Sequence, residues 1–88
     1  MVAPEDIFTD IEAVFERLLD QQRDKVVEVA LDILPHLAPE EVQNPQDYPE
    51  VAGDTMFNYE DGFLAGLISA RQALRSIVFA AHRVSTST

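Results

Sequence analysis

From Pro4 to Leu34 the chain contains neither glycine nor an internal proline, and Ile7, Ile11, Val14, Phe15, Leu18 and Leu19 recur at helical spacing. Pro4 suits the first turn of a helix, and Glu5 and Asp6 put negative charge at the positive end of its dipole. Further on, Phe15, Leu19, Gln22, Val26, Val29 and Ile33 follow steps of 4, 3, 4, 3 and 4, a seam for a second helix with one polar member, Gln22. The pattern predicts one helix over about 5–34, ended by Pro35. The alternative is a break near 21–24, at Gln21-Gln22-Arg23-Asp24, which would turn the chain into a three-helix bundle.

Residues 35–53 hold Pro35, Pro39, Pro45, Pro49 and Gly53 and read as an irregular loop, with one helical turn after Pro39. A connection this long is either functional or pinned by its own side chains, for which Leu37, Val42, Tyr48 and Val51 are the candidates. Asp54, Thr55 or Asn58 can cap the next segment, and Arg83 stands near its end, so a second helix over about 55–84 follows. Residues 85–88 read as a flexible tail.

This second helix carries two apolar stripes. Met56, Tyr59, Gly62, Phe63, Gly66, Leu67, Ala70, Ala73, Leu74, Ile77, Ala80, Ala81 and Val84 form one uncharged face and are the expected core. Phe57, Leu64, Ile68 and Phe79 form the other, among Asp61, Arg71, Arg75 and His82. The fold expectation is therefore all-α: one domain, 1–88, with two helices, each about 45 Å long, in an antiparallel hairpin. Two helices enclose little, so a homodimer forming a four-helix bundle is expected, with Phe57, Leu64, Ile68, Arg71, Arg75 and Phe79 at its interface.

Composition narrows the classes. At 88 residues a monomer would be marginal, and the absence of cysteine removes disulfides and thiolate metal sites as supplements to a small core. The first residues have no basic region or long apolar stretch, and Arg71, Gln72, Arg75 and His82 interrupt the most apolar segment. No membrane span and a cytoplasmic location are expected. Charge is polarised: all 16 acids lie between Glu5 and Asp61, whereas Arg71, Arg75 and Arg83 follow with no acid among them.

Glu12, Glu16, Asp20, Asp24, Glu28 and Asp32 form a ladder of acids four residues apart, each neighbouring pair repelling. One reading is a solvated face softened by Arg17, Arg23 and Lys25. Another has the C-terminal arginines meet it. Folded about residues 44 and 45, the hairpin would bring Arg75 to Glu12 or Glu16 and Arg83 to Asp6 or Asp10. Basic protein partners or divalent cations are a third.

Gly62, Gly66 and Ala70 repeat every four residues, so a large side chain of the first helix such as Phe8 or Phe15 is expected to pack there. Neither His36 nor His82 has a glutamate three residues before it, as carboxylate-bridged metal sites in bundles require. A calcium loop around Asp61-Gly62 fails because Phe57, Tyr59 and Ile68 would stand where oxygen ligands are needed. Polar and aromatic groups concentrate at Asp47, Tyr48, Glu50, Asp54, Asn58, Tyr59, Glu60 and Asp61, the candidate partner-binding junction; capping and aromatic pinning are the competing explanation.

A net charge of −10 disfavours nucleic acid, and no catalytic constellation, metal set or cofactor signature is present. The expectation is a small acidic helical interaction module, not an enzyme, forming a homodimer and accepting a basic protein partner. A regulator binding a ligand or divalent metal at the junction, and an acidic nucleic-acid mimic, are the alternatives.

Overall fold

The computed structural model describes the backbone of residues 4–86 and the side chains of 6–78 and Ala80. Helix α1 runs over Pro4–Ile33 without a break at Gln22. Two 3-10 turns, Pro39–Gln43 and Pro45–Asp47, and the short helix α2, Pro49–Ala52, lead into α3, Thr55–Thr86. The two long helices pack antiparallel as a hairpin. Residues 85 and 86 of the expected tail continue α3, and 87–88 lie outside the described residues.

Local chemistry accounts for the corners. Each of the three short segments begins with proline, whose fixed φ preforms a helical turn and whose missing N–H is not needed there. Asp54 caps α3: its Oδ1 accepts the Phe57 N–H at 2.8 Å, and the Asn58 side-chain amide ties back to the Ala52 carbonyl at 2.9 Å. Glu41 staples the loop by accepting both the Ala38 N–H, at 2.9 Å, and the Tyr48 hydroxyl.

The core sits at the loop end. Val26, Val29 and Ala30 of α1, Leu37 and Val42 of the loop, Val51 of α2 and Phe57 of α3 form one buried cluster, and Tyr48 and Leu64 pack against it. Leu37, Val42, Tyr48 and Val51 are the expected pins of the connection. Farther from the loop Leu19 is fully buried, while Phe8, Ile11 and Phe15 are half-buried.

One expectation is reversed. The uncharged stripe of α3 is not the core: Met56, Tyr59, Phe63 and Ile77 are 51–67% exposed, and among its described residues only Leu67 and Leu74, at its margin, are half-buried. Phe57 and Leu64 of the other stripe pack into the cluster with α1 instead, and Ile68 of the same stripe is half-buried. The Asp54 cap aims Phe57 into the loop-end cluster, and that rotation also carries Glu60, Arg71 and Arg75 onto α1. Gly62 and Gly66 consequently face outward, with open space for 4 Å around the point where a Cβ would stand, so neither Phe8 nor Phe15 packs on them.

Candidate interaction surfaces

Polar contacts from Gln22, Arg71 and Arg75 hold the register along the hairpin. The Gln22 amide donates to the Glu60 carbonyl oxygen at 2.9 Å and to its carboxylate at 2.7 Å. Arg71 reaches Glu16 at 3.1 Å, and Arg75 grips Glu12 through Nε at 2.9 Å and Nη2 at 2.6 Å, a fork on both carboxylate oxygens. The reading in which arginines return to the acid ladder is what the helices do at Glu12 and Glu16. Arg83 lies outside the described side chains. Arg71 is less well served, because its Nε is buried without a hydrogen-bond partner.

These contacts shift titrations. The Arg75 hydrogen bonds hold Glu12 below the usual carboxylate range, aided by the charges of Arg75 and Arg71 and opposed by lost hydration. The Tyr48 hydroxyl, then the Ala38 N–H, lower Glu41; reciprocally, Glu41 raises the Tyr48 phenol.

The junction residues divide. Tyr48, Asp54, Asn58 and Glu60 are engaged in stapling, capping and register, whereas Asp47, Glu50, Tyr59 and Asp61 are exposed. Of the expected dimer-interface residues, Phe57, Leu64, Arg71 and Arg75 are turned toward α1 of the same chain, because that rotation buries Phe57 and brings the arginines to Glu12 and Glu16, and Ile68 is half-buried. Phe79 lies outside the described side chains.

Two surfaces emerge that the linear pattern did not single out. Counted at 100° per residue, Glu12 and Glu16 lie on one flank of the α1 seam and Ile7, Val14 and Leu18 on the other. Because the helices are antiparallel, this second flank and the uncharged stripe of α3 share one broad side of the hairpin. Ile7, Val14 and Leu18 are 40–49% exposed there, alongside Phe63 and Ile77. The sign of this surface in the sequence was that α3 carries two apolar stripes, of which a single partner helix covers one.

Near the loop, α1 and the Pro39 turn border two open cavities of about 430 and 240 Å³ that share Val27 and Pro39. The larger is bordered by Asp24, Glu28 and Asp32, with Leu31 beside Val27; the smaller adds Val42, Leu64, Arg23 and Asp61. Pro39 comes from the loop, so sequence spacing could not reveal this groove.

Among the described residues no helix is long and apolar enough to cross a membrane, and no three acidic or histidine side chains converge on a metal-sized site. No protein-family model matches the chain, and neither a curated protein nor a solved structure matches it significantly.

Proposed function

We propose that the chain is a non-enzymatic interaction module that homodimerises through the uncharged side of its hairpin and leaves its acidic loop end free for a basic protein partner. The observation that carries this reading is the continuous apolar side formed by Ile7, Val14 and Leu18 with Phe63, Ala70 and Ile77. Exposed apolar side chains grouped on one side of a fold mark an interaction site.

Size supports a second copy. A compact domain of this length has a radius of gyration of about 12 Å, against 17.5 Å for this hairpin. A monomeric globular protein of this mass exposes about 5,200 Å², and the chain exposes 6356 Å². Covering that excess in two copies would bury about 2,300 Å² in total, the scale of homodimer interfaces. Charge supports it as well, since two chains of −10 approach each other best where neither presents a charge. The outward Gly62, Gly66 and Ala70 allow helix backbones to come close.

Sedimentation equilibrium of the full chain tests the proposal. A dimer that tightens with added salt is expected, because salt screens acid–acid repulsion, and Phe63→Glu should give a helical monomer. Wild-type chain that stays monomeric at about 1 mM, a protein concentration at which even a weak interface would be populated, overturns it.

A further inference from the structure

We infer that the groove between α1 and the Pro39 turn is a docking site for a basic protein segment carrying an apolar anchor. Its floor is Val27, Leu31 and Pro39, and its border is Asp24, Glu28 and Asp32, one turn apart along α1. Among the described residues none of these three acids has an ion-pair partner, although Glu12 and Glu16, farther along the same ladder, each have an arginine.

The acids are also placed against the electrostatics of their own helix. Asp32 stands in the last turn of α1, where the dipole favours cations, and that turn has no basic residue. Asp24, Glu28 and Asp32 repel one another at four-residue spacing as well. A helix selected only for folding would carry lysine at its C-terminal end. A cationic ligand relieves both repulsions at once.

The shape of the acid set selects an extended ligand over a point ion. The three carboxylates are strung along the helix and do not converge on one centre. Charges repeating once per turn, with an apolar side chain between them to enter the cavity of about 430 Å³, match an amphipathic basic peptide segment. Glu28 and Asp32 follow Leu18 by 10 and 14 residues, about 15 and 21 Å along α1, so the groove lies beyond the loop-proximal end of the uncharged patch.

The test is a titration of the isotope-labelled full chain with a 15-residue amphipathic peptide of lysine and leucine, followed by amide NMR shifts. A peptide with serine in place of leucine serves as control. Shifts are expected to concentrate at 24–32, 40–43 and 61–64, with at least tenfold weaker binding for the serine peptide and for the double variant Glu28→Gln, Asp32→Asn. Neither substitution touches the core, so both should leave the fold intact. The same binding is expected in the Phe63→Glu chain, whatever its oligomeric state. Equal binding of both peptides, unchanged affinity of the double variant, shifts centred on Ile7–Leu18, or no binding at 1 mM peptide would each overturn the assignment.

Discussion

The side-chain amide of Gln22 donates to both the backbone carbonyl and the carboxylate of Glu60, at 2.9 and 2.7 Å, and so fixes how far α3 has slid along α1. Gln22 is the one polar residue in an otherwise apolar seam. A polar group at such a position specifies register at a cost in stability. Gln22→Leu should therefore raise the melting temperature while broadening the population of oligomers seen by light scattering. A lower melting temperature with a single species would show that Gln22 stabilises the hairpin and does not select its register.

Phe57 and Phe63 sit fewer than two turns apart on α3 and have opposite environments: 1% and 51% exposed. Phe57→Ala opens a cavity in the loop-end cluster and should cost about 3–5 kcal/mol by denaturant unfolding. Phe63→Ala should leave the unfolding free energy of the isolated hairpin nearly unchanged and weaken only self-association. Comparable losses in both, at concentrations where the chain is monomeric, would mean that the uncharged stripe is the true inner face.

Gly66 offers a finer version of the same test. With open space around it, Gly66→Ala should stabilise the monomeric helix by about 0.5–1 kcal/mol, since alanine loses less backbone entropy on folding. Gly66→Leu should fold equally well but dimerise less, because the larger side chain holds a second helix away. A sharp loss of monomer stability in Gly66→Leu would place α1 against this glycine.

Acid should weaken the hairpin at two identifiable points. Glu12 and Glu41 both have folded pKa values below their ordinary 4.5. Each therefore contributes stability that is present above the ordinary pKa and is lost as pH falls through the lowered one. Tyr48, raised above 10.0, contributes on the alkaline side: its share is complete below pH 10 and disappears as pH climbs through the raised value. Glu12→Gln and Glu41→Gln should each flatten the fall in thermal stability below pH 4.5. An unchanged acid limb in both variants would remove these pairs as its cause.

Asp32→Lys reverses the charge at the negative end of α1 and breaks the acid ladder. It should raise stability by about 0.3–1 kcal/mol at low ionic strength, with the gain shrinking in salt. Paired with loss of basic-peptide binding, that gain would identify Asp32 as a position where folding is sacrificed to recognition. Lower stability would point to a structural partner for its carboxylate.

Much of this architecture was legible one residue at a time. Helix ends follow from Pro4, Pro35 and Asp54, each acting within a turn of its own position, and the loop pins are the few apolar residues in a polar stretch. The Glu12–Arg75 pair was accessible by counting outward from residues 44 and 45, because an antiparallel hairpin makes distance from the turn a coordinate. The groove was not accessible in this way, since Val27 and Pro39 meet only after the loop folds back.

The sequence by itself determined an all-helical chain, the ends of its long helical segments and how these align, because those depend on local backbone chemistry and on charge order along the chain; a break near Gln22 stayed open until the fold showed α1 continuous. Which face of α3 turns inward was not determined: the uncharged stripe was the expected core, but both stripes are apolar enough to be buried, and the choice fell on the other. The tertiary structure decided it through the corner at Asp54, which commits Phe57 to the loop-end cluster and, with the helix rigid, commits Arg71 and Arg75 to α1. The uncharged face is left outside because a helix has one rotation, and Phe57 had already taken it.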